Sequence, residues 1–224
     1  DDLDLSHQPT YTRNFRQVWS AGRLDAEYFL PKYQQAMEIM RQSGKLIGDV
    51  ARLAKRRFEP KPGKPFQYIE IGDLDQAGHA ESKLVPGEEA PSRAQWIAKA
   101  GDVITSTVRP IRRLSALIEP EQDGYVCSSG FAVLKPATIE PEVLLVYLRL
   151  PVVCEILDLH TTASMYPAIS TTDLLNVPIP IPSSEVRSKI VELIQKSRRS
   201  RREAKRLLEE AKRRAETVIM GENA

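Results

Sequence analysis

The chain has 224 residues, of which 42% are hydrophobic and 28% are charged, a composition typical of a globular protein that builds its own core. Two cysteines, Cys127 and Cys154, do not make a disulfide framework, so we expect reduced thiols in a cytoplasmic protein. The first residues are acidic and polar rather than signal-like, and charged residues and Pro151 interrupt the most apolar stretch, residues 143–157. No membrane span is therefore predicted.

The formal net charge of +2 is unevenly distributed. From Ser183 to the end there are twelve basic and seven acidic residues, a net charge of +5, which leaves −3 for the preceding residues. Residues 196–206 alone carry seven basic residues and one acid. The near-neutral net charge of the chain is thus the sum of a slightly acidic part and a basic terminal segment. Strong non-specific binding of nucleic acid is not expected from the first part, and any recognition there would depend on local basic groups.

The first part of the chain is predicted to be mostly helical. In chain order, the predicted elements are a tail or linker over 1–22, a helix over 31–43, a short helix over 46–53 and a basic, proline-rich loop over 55–65. Tyr33, Met37 and Met40 are spaced as on one helix face, and Gly44 follows as a stop signal.

Strand patterns begin at Phe66 and give way to helical character after residue 140. The predicted strands lie within 66–74, 101–108, 114–120, 125–129 and 130–136, separated by Glu-Pro and Asp-Gly turns. Residues 141–160 are predicted to be helical with an interruption at Pro151, and a Ser/Thr-rich loop follows over 161–173. Two prolines in 177–181 predict an extended edge strand or a covering segment.

The last predicted element is a helix from Ser184 to Met220. Ser183 and Ser184 are typical helix caps, Glu185 is an acid in the first turn, and no proline or glycine follows until Gly221. Such a helix would be about 55 Å long. Small and apolar residues recur at steps of three and four, which predicts a coiled-coil seam; the alternative is a solitary basic surface helix. The seam comprises Val186, Ile190, Leu193, Ser197, Ser200, Ala204, Leu207, Ala211, Ala215 and Val218.

Several segments together resemble the specificity subunit of Type I restriction-modification systems. They are RLDAEYFLPKY (23–33), LIGDVARL (46–53), YIEIGDL (68–74), AGDVITSTVRP (100–110), CSSGFAVLKP (127–136), TTASMYPAISTTDLLNVPIPIPSSEVRSKIVELI (161–194) and the terminal LLEEAKRRAETVI. The resemblance implies an α/β (α+β) fold: a single DNA target-recognition domain over 23–182, with a twisted mixed β-sheet and short helices, followed by a long coiled-coil-forming helix over 183–220. Residues 1–22 remain a tail or linker.

The same resemblance implies function and partners. A full subunit of this family has two recognition domains, each reading one half of a bipartite DNA sequence, and this chain has one. It would direct a DNA adenine methyltransferase subunit and a restriction and translocase subunit. It would act as a homodimer, pair with a second recognition half, or be part of a longer or fused chain.

Sequence motifs for catalysis are not found. There is no P-loop, no methyltransferase cofactor or adenine-extraction motif, and no metal-ligand spacing, so we predict no catalytic residue, cofactor or metal site. The triplet Glu81-Ser82-Lys83 is weakly similar to a nuclease motif and is interpreted as chance. Cys154, with Asp158 and His160 nearby, is interpreted as a core thiol rather than a nucleophile.

Two basic groups and one hydroxyl-rich loop are the candidate DNA-binding residues. The group after the strand at 101–108 is Arg109, Arg112 and Arg113, which could enter a groove and bond to guanine. The other group contains Lys55, Arg56, Arg57, Lys61 and Lys64, with Arg52 nearby. The Ser/Thr-rich loop offers Ser164 and Tyr166. Each basic group could instead be a solvated loop, and the Ser/Thr-rich loop could be structural.

The sequence is compatible with three functions. The first is sequence-specific, non-catalytic DNA recognition. The second is a protein-interaction scaffold that dimerises through its terminal helix, and the third is a stand-alone nuclease or methyltransferase. The predicted coiled-coil or partner interface comprises Ile190, Leu193, Ser197, Ala204, Leu207, Ala211 and Val218. The basic run 196–206 could face DNA or a methyltransferase subunit, and the resemblance favours the latter.

Overall fold

The computed structural model describes residues 12–161 and 165–220. The chain divides into two compact units, the first reaching to Ile181 and the second beginning at Pro182. Within the described residues, the helices of the first unit are α1 (Phe15–Ala21), α2 (Pro31–Arg41), α3 (Ile47–Val50), α4 (Pro141–Tyr147), α5 (Pro151–Leu159) and α6 (Thr171–Leu175). The second unit contains α7 (Ser184–Met220).

Eight short strands lie in the described part of the first unit. They are β1 (Ala51–Leu53), β2 (Phe66–Ile69), β3 (Lys83–Val85), β4 (Ala94–Ile97), β5 (Val103–Ser106), β6 (Ser115–Leu117), β7 (Val126–Ser128) and β8 (Phe131–Pro136). One sheet has the order β1-β8-β5-β6 and is antiparallel. The other has the order β3-β2-β7-β4, in which β2 and β7 are parallel. The predicted α/β class is confirmed, with the strands in two sheets rather than in one.

The two sheets share one hydrophobic core. Ile69 of β2 and Cys127 of β7 meet Ile104 of β5 and Phe131 of β8 in one buried cluster. Because alternate residues of a strand point to opposite faces, each sheet presents one apolar face to this cluster. Helix α4 packs on β5 and β6 of the first sheet. The two sheets and α4 together form the frame from which the loops of the candidate site emerge.

The structure differs from the sequence prediction over residues 46–53. A continuous short helix was predicted, but α3 is one turn long and β1 follows it directly. The reason is tertiary: Arg52 and Leu53 pair with Lys135 and Leu134 of β8, so the sheet provides the backbone hydrogen bonds that a longer helix would have made. Strands β3 and β4 were also not predicted.

A short helix, α1, lies in the segment for which only a tail or linker was predicted. Asn14 and Gln17 form a capping box, and Gly22 ends the helix in the left-handed conformation. Its pattern is too short to produce a clear sequence period. The break predicted at Pro151 is confirmed, since α4 ends at Tyr147 and Pro151 starts α5 after a three-residue connection.

Residues 177–181 form a covering segment. Val177 and Ile179 are buried, and the backbone makes two hydrogen bonds to the chain around α3, from the amide of Ile47 to the carbonyl of Val177 and from the amide of Ile179 to the carbonyl of Lys45. Pro178 and Pro180 have no amide hydrogen, which explains why no regular strand forms there. Of the two alternatives that the sequence left open, the structure shows the covering segment.

The long terminal helix predicted from the sequence is confirmed. Ser183 caps α7, with its hydroxyl accepting from the amide of Val186 at 3.4 Å. Neighbouring side chains form ion pairs along it, including Arg206 with Glu203 and Glu210. The predicted seam residues Ile190, Leu193, Ser197, Ala204, Leu207, Ala211 and Val218 share one helix face, and none of them is buried. No helix in the described ranges is long and apolar enough to cross a membrane.

Candidate nucleic-acid interface

The candidate site is built around the loop that leaves β5, residues 107–113. It contains a 3-10 turn (Pro110–Arg112) between Arg109 and Arg113, which have positive φ values of 50° and 58°. Positive φ is unfavourable for arginine, so surrounding contacts must hold this backbone. Pro110 is buried and α5 packs against the turn. Arg112 and Arg113 are exposed on a loop whose backbone is firmly held.

The loop is joined to the end of the Ser/Thr-rich segment. The amide of Arg109 donates to the carbonyl of Pro167 at 2.8 Å, and the amide of Ile169 donates to the carbonyl of Thr107 at 2.9 Å. The Arg109 guanidinium donates to the carbonyl of Met165 at 3.3 Å and lies 5.9 Å from the centre of the Tyr166 ring. Two candidates separated by 57 positions in sequence, Arg109 and Tyr166, therefore meet. The third candidate of this region, Ser164, lies outside the described residues.

The basic loop between β1 and β2 is held differently at its two ends. Near its start, the carbonyl of Arg56 accepts from the amide of Ile97, and the amide of Phe58 donates to the carbonyl of Gln95, so the loop runs beside β4. Near its end, the backbone of Gly87 lies directly against the carbonyls of Lys61 and Lys64. Its exposed basic residues are Lys55, Arg57, Lys61 and Lys64.

Arg56 has a structural role that the sequence did not reveal. Its guanidinium pairs with the buried carboxylate of Asp102 and donates to the carbonyl of Ile97 at 3.1 Å. Asp102 also accepts from the amide of Lys99 at 2.8 Å. The Arg56 guanidinium is thus held by groups of the fold, while the side chain remains 32% exposed, and its role in DNA binding stays a prediction.

A cleft of about 240 Å³ lies between the start of the basic loop and the start of the arginine loop. Lys55 lines it together with Thr107, at the start of the arginine loop, and Trp96 of β4. Ser129 and Thr171 contribute further hydroxyl groups. The sequence indicated Lys55 and the Ser/Thr-rich segment that contains Thr171, but not Thr107 or Ser129, because their convergence depends on segments distant in sequence. Lys61 and Lys64 do not line this cleft and lie against the turn at Gly87–Glu89.

The residues that could have suggested a nuclease motif or a nucleophile make contacts within the fold instead. Lys83 pairs with Asp73 at 3.2 Å, and the hydroxyl of Ser82 donates to Gln67 at 3.0 Å. The thiol of Cys154 is buried and donates to the carbonyl of Leu148, and burial raises its pKa to about 11. Such a thiol is not ionised at neutral pH. In the described ranges, no three His, Cys, Asp or Glu side chains are grouped to hold a metal ion.

The positive φ of Arg113 leads to a testable stability difference. Replacing Arg113 with glycine should raise the free energy of unfolding by about 1 kcal/mol, because glycine adopts this backbone conformation without a steric penalty. The matched control is Arg112→Gly, whose position has no positive φ and which should lower stability by about 0.5–1 kcal/mol. Urea unfolding measures both. A destabilised Arg113→Gly protein would show that contacts of the arginine side chain outweigh the strain of its positive φ.

Comparisons with known proteins indicate the family. No family model matches the chain. The specificity subunit of the Type I restriction enzyme HindI from Haemophilus influenzae is 24% identical over 152 residues, which cover 66% of this chain and 33% of that protein.

Two solved structures are similar in fold and sequence. A chain from a study of complex assembly and conformational transition in a type I R-M system has a TM-score of 0.60 and 33% identity, covering 77% of this chain and 46% of that chain. The HsdS subunit from Thermoanaerobacter tengcongensis has a TM-score of 0.58 and 32% identity, with the same coverage. The chain thus spans between a third and about half of the length of these relatives. The resemblance indicated by the sequence is confirmed: this chain is a partial-length relative of the specificity subunits of Type I restriction-modification systems.

Proposed function

We propose that this chain is a sequence-specific double-stranded DNA recognition module that itself performs no catalysis. It recognises one half of a bipartite target and directs an adenine methyltransferase subunit and a restriction and translocase subunit to that site. The observation that carries the proposal is the loop 107–113, which presents Arg109, Arg112 and Arg113 from a firmly held backbone beside Tyr166. The similarity to specificity subunits supports it.

The geometry of this loop suits base recognition better than general attraction to phosphate. Base contacts require donors at defined positions, and a firmly held backbone lowers the cost of placing a guanidinium for two hydrogen bonds to guanine. Pro110 and the hydrogen bond from Arg109 to Pro167 provide that fixation. Lys55 and Arg57, on the neighbouring loop, are suitably exposed for phosphate contacts.

The net charge of −3 over the first 182 residues is consistent with this division of roles. A domain that bound DNA mainly through a large basic surface would carry an excess of positive charge. Here the recognition residues are few, so a considerable part of the affinity would come from assembly with other subunits. Helix α7 would provide that assembly. Its seam would pair with a second helix, from another copy or from a second recognition half, and residues 196–206 would contact the methyltransferase subunit.

A protein-interaction scaffold is the second candidate function. The observation in its favour is the apolar exposure around the same loop, where Met165 is 77% exposed, Tyr166 69% and Ile111 48%. Exposed aromatic and methionine side chains are frequent in protein interfaces. In this alternative, the surface would bind a partner protein, and only that partner would touch DNA.

The proposal is tested by selection from a library of random duplexes. The full chain, assembled with its methyltransferase subunit, is expected to enrich one short motif and to methylate duplexes that contain it. A fixed, physiological salt concentration is needed, because phosphate contacts depend strongly on salt. The methyltransferase subunit alone is the control and should enrich no motif. Equal recovery of all duplexes by the assembled complex would contradict DNA recognition and favour the scaffold.

A further inference from the structure

Arg149 lies in the three-residue connection between α4 and α5 and hydrogen-bonds to three separate backbone carbonyls. One of its terminal nitrogens donates to the carbonyl of Ser115 at 3.0 Å and to that of Arg113 at 3.3 Å. The other donates to the carbonyl of Gln76. A single side chain thus connects the end of the arginine loop, the start of β6 and the turn that follows Asp75.

The surroundings of Arg149 are shaped to receive its guanidinium. Gly78 has a φ of 84°, and a Cβ atom at that position would lie 3.3 Å from the guanidinium. The turn at Gly78 therefore approaches the arginine closely because it carries no side chain. Arg149 is partly buried, and burial lowers its pKa, whereas the nearby Asp75 favours the charged form.

The arrangement also indicates why arginine, rather than lysine, occupies this position. A guanidinium has five donors in a fixed planar fork, so it can bond to carbonyls on different segments at once. A lysine ammonium is a point charge on a flexible stem and cannot reproduce that fork. Hydrogen bonds from a charged donor are also stronger than those between neutral groups.

We propose that Arg149 is the positioning residue of the DNA-recognition loop, an inference that rests on the proposed function. The amide of Arg109 holds the start of the loop through Pro167, and Arg149 holds its end through the carbonyl of Arg113. Arg149 donates these hydrogen bonds to backbone, so its own role is to keep Arg112 and Arg113 in place. It would therefore determine selectivity among DNA sequences more than general affinity for duplex DNA.

The test combines a measurement without DNA and one with DNA. In the full chain with Arg149→Lys, the amides of Arg112 and Arg113 should exchange hydrogen about tenfold faster, because the carbonyl anchor of the loop is lost. In the assembled complex, the preference for the selected motif over a single-mismatch duplex should fall about tenfold, while affinity for random duplex stays within twofold. Arg41→Lys, an exposed arginine of α2, is the matched control and should change neither quantity.

Gly78→Ala would push the Arg149 guanidinium away from its carbonyl partners. It should therefore give the same faster amide exchange and the same loss of motif preference, which keeps the test valid if Arg149→Lys does not fold. Unchanged amide exchange in the folded variants would overturn the positioning role. Faster exchange in Arg149→Lys together with a wild-type complex that binds all duplexes alike would support the anchor and refute the proposed function instead. The exchange measurement therefore separates failure of this inference from failure of DNA recognition.

Discussion

Replacing Arg109, Arg112 and Arg113 together with glutamate is expected to abolish site-specific methylation by the assembled complex. Each arginine that bonds to a base contributes about 1–3 kcal/mol of discrimination, and reversed charges would also repel the DNA backbone. The combined loss should be at least about a hundredfold in affinity for the selected motif. Fluorescence anisotropy with the target and a scrambled duplex measures it. The fold should persist, because glutamate is no more strained than arginine at positive φ.

The matched control reverses three basic residues elsewhere on the first unit. Arg16, Arg41 and Lys45 are exposed, and none lines the cleft beside the arginine loop. The control variant carries the same change in net charge, so its loss of affinity measures the non-specific electrostatic contribution alone. In the control variant, we expect affinity for the target duplex and for the scrambled duplex to fall by similar factors. The loss of affinity for the target should be much smaller than in the loop variant. Site-specific methylation that survives the loop variant would contradict the role assigned to these arginines.

Replacing Leu193 and Leu207 with glutamate is expected to prevent pairing through α7. Both leucines lie on the seam, and each remains about half exposed, so each has apolar surface that a partner helix would bury. Burying a leucine side chain contributes about 1.5–3 kcal/mol, and a symmetric pair contains each residue twice. The wild-type chain should sediment as a dimer at micromolar concentration, whereas the variant should sediment as a monomer. The dissociation constant of the dimer should rise at least about a thousandfold.

Ser188→Glu is the control for the seam variant. Ser188 is exposed and lies on the opposite face of α7 from Ile190 and Leu193 by the heptad spacing, so the added charge should leave pairing unchanged. The helix content of all variants should stay constant, since glutamate is a good helix former. A wild-type chain that remains monomeric at high concentration would contradict pairing between two copies. It would direct attention to a second recognition half as the partner of the seam.

The strands and helices with strong local patterns were predicted well. The β-branched run before Ser106 forms β5, the segment at Phe131–Pro136 forms β8, and Ser184–Met220 is one helix. In each case the pattern of residue types extends over several residues and matches the strand or helix that forms there. By contrast, β1 is a three-residue strand whose identity depends on pairing with β8, and its own sequence was also compatible with a helix.

The candidate site was only partly predictable. Residue type was enough to predict Arg109 and Tyr166 as candidate DNA-binding residues. That they lie side by side depends on hydrogen bonds between segments 56 or more positions apart in sequence. Arg56 and Arg57 are indistinguishable by residue type and position in the basic loop, yet Arg56 pairs with the buried carboxylate of Asp102. No sequence pattern marks Arg149 as a site residue, because it lies between two helices and 36 positions from Arg113, whose carbonyl it contacts.

The sequence by itself determined the long helix, its seam, its positive charge and the main strand segments, because these features follow from side-chain periodicity within one stretch of chain. The tertiary structure decided how the strands divide between two sheets, which basic residue pairs with a buried carboxylate, and that Arg109 meets Tyr166. These features depend on contacts between distant segments. A basic side chain has the same local sequence signal whether it binds a buried carboxylate or faces solvent, and only the surrounding fold separates the two.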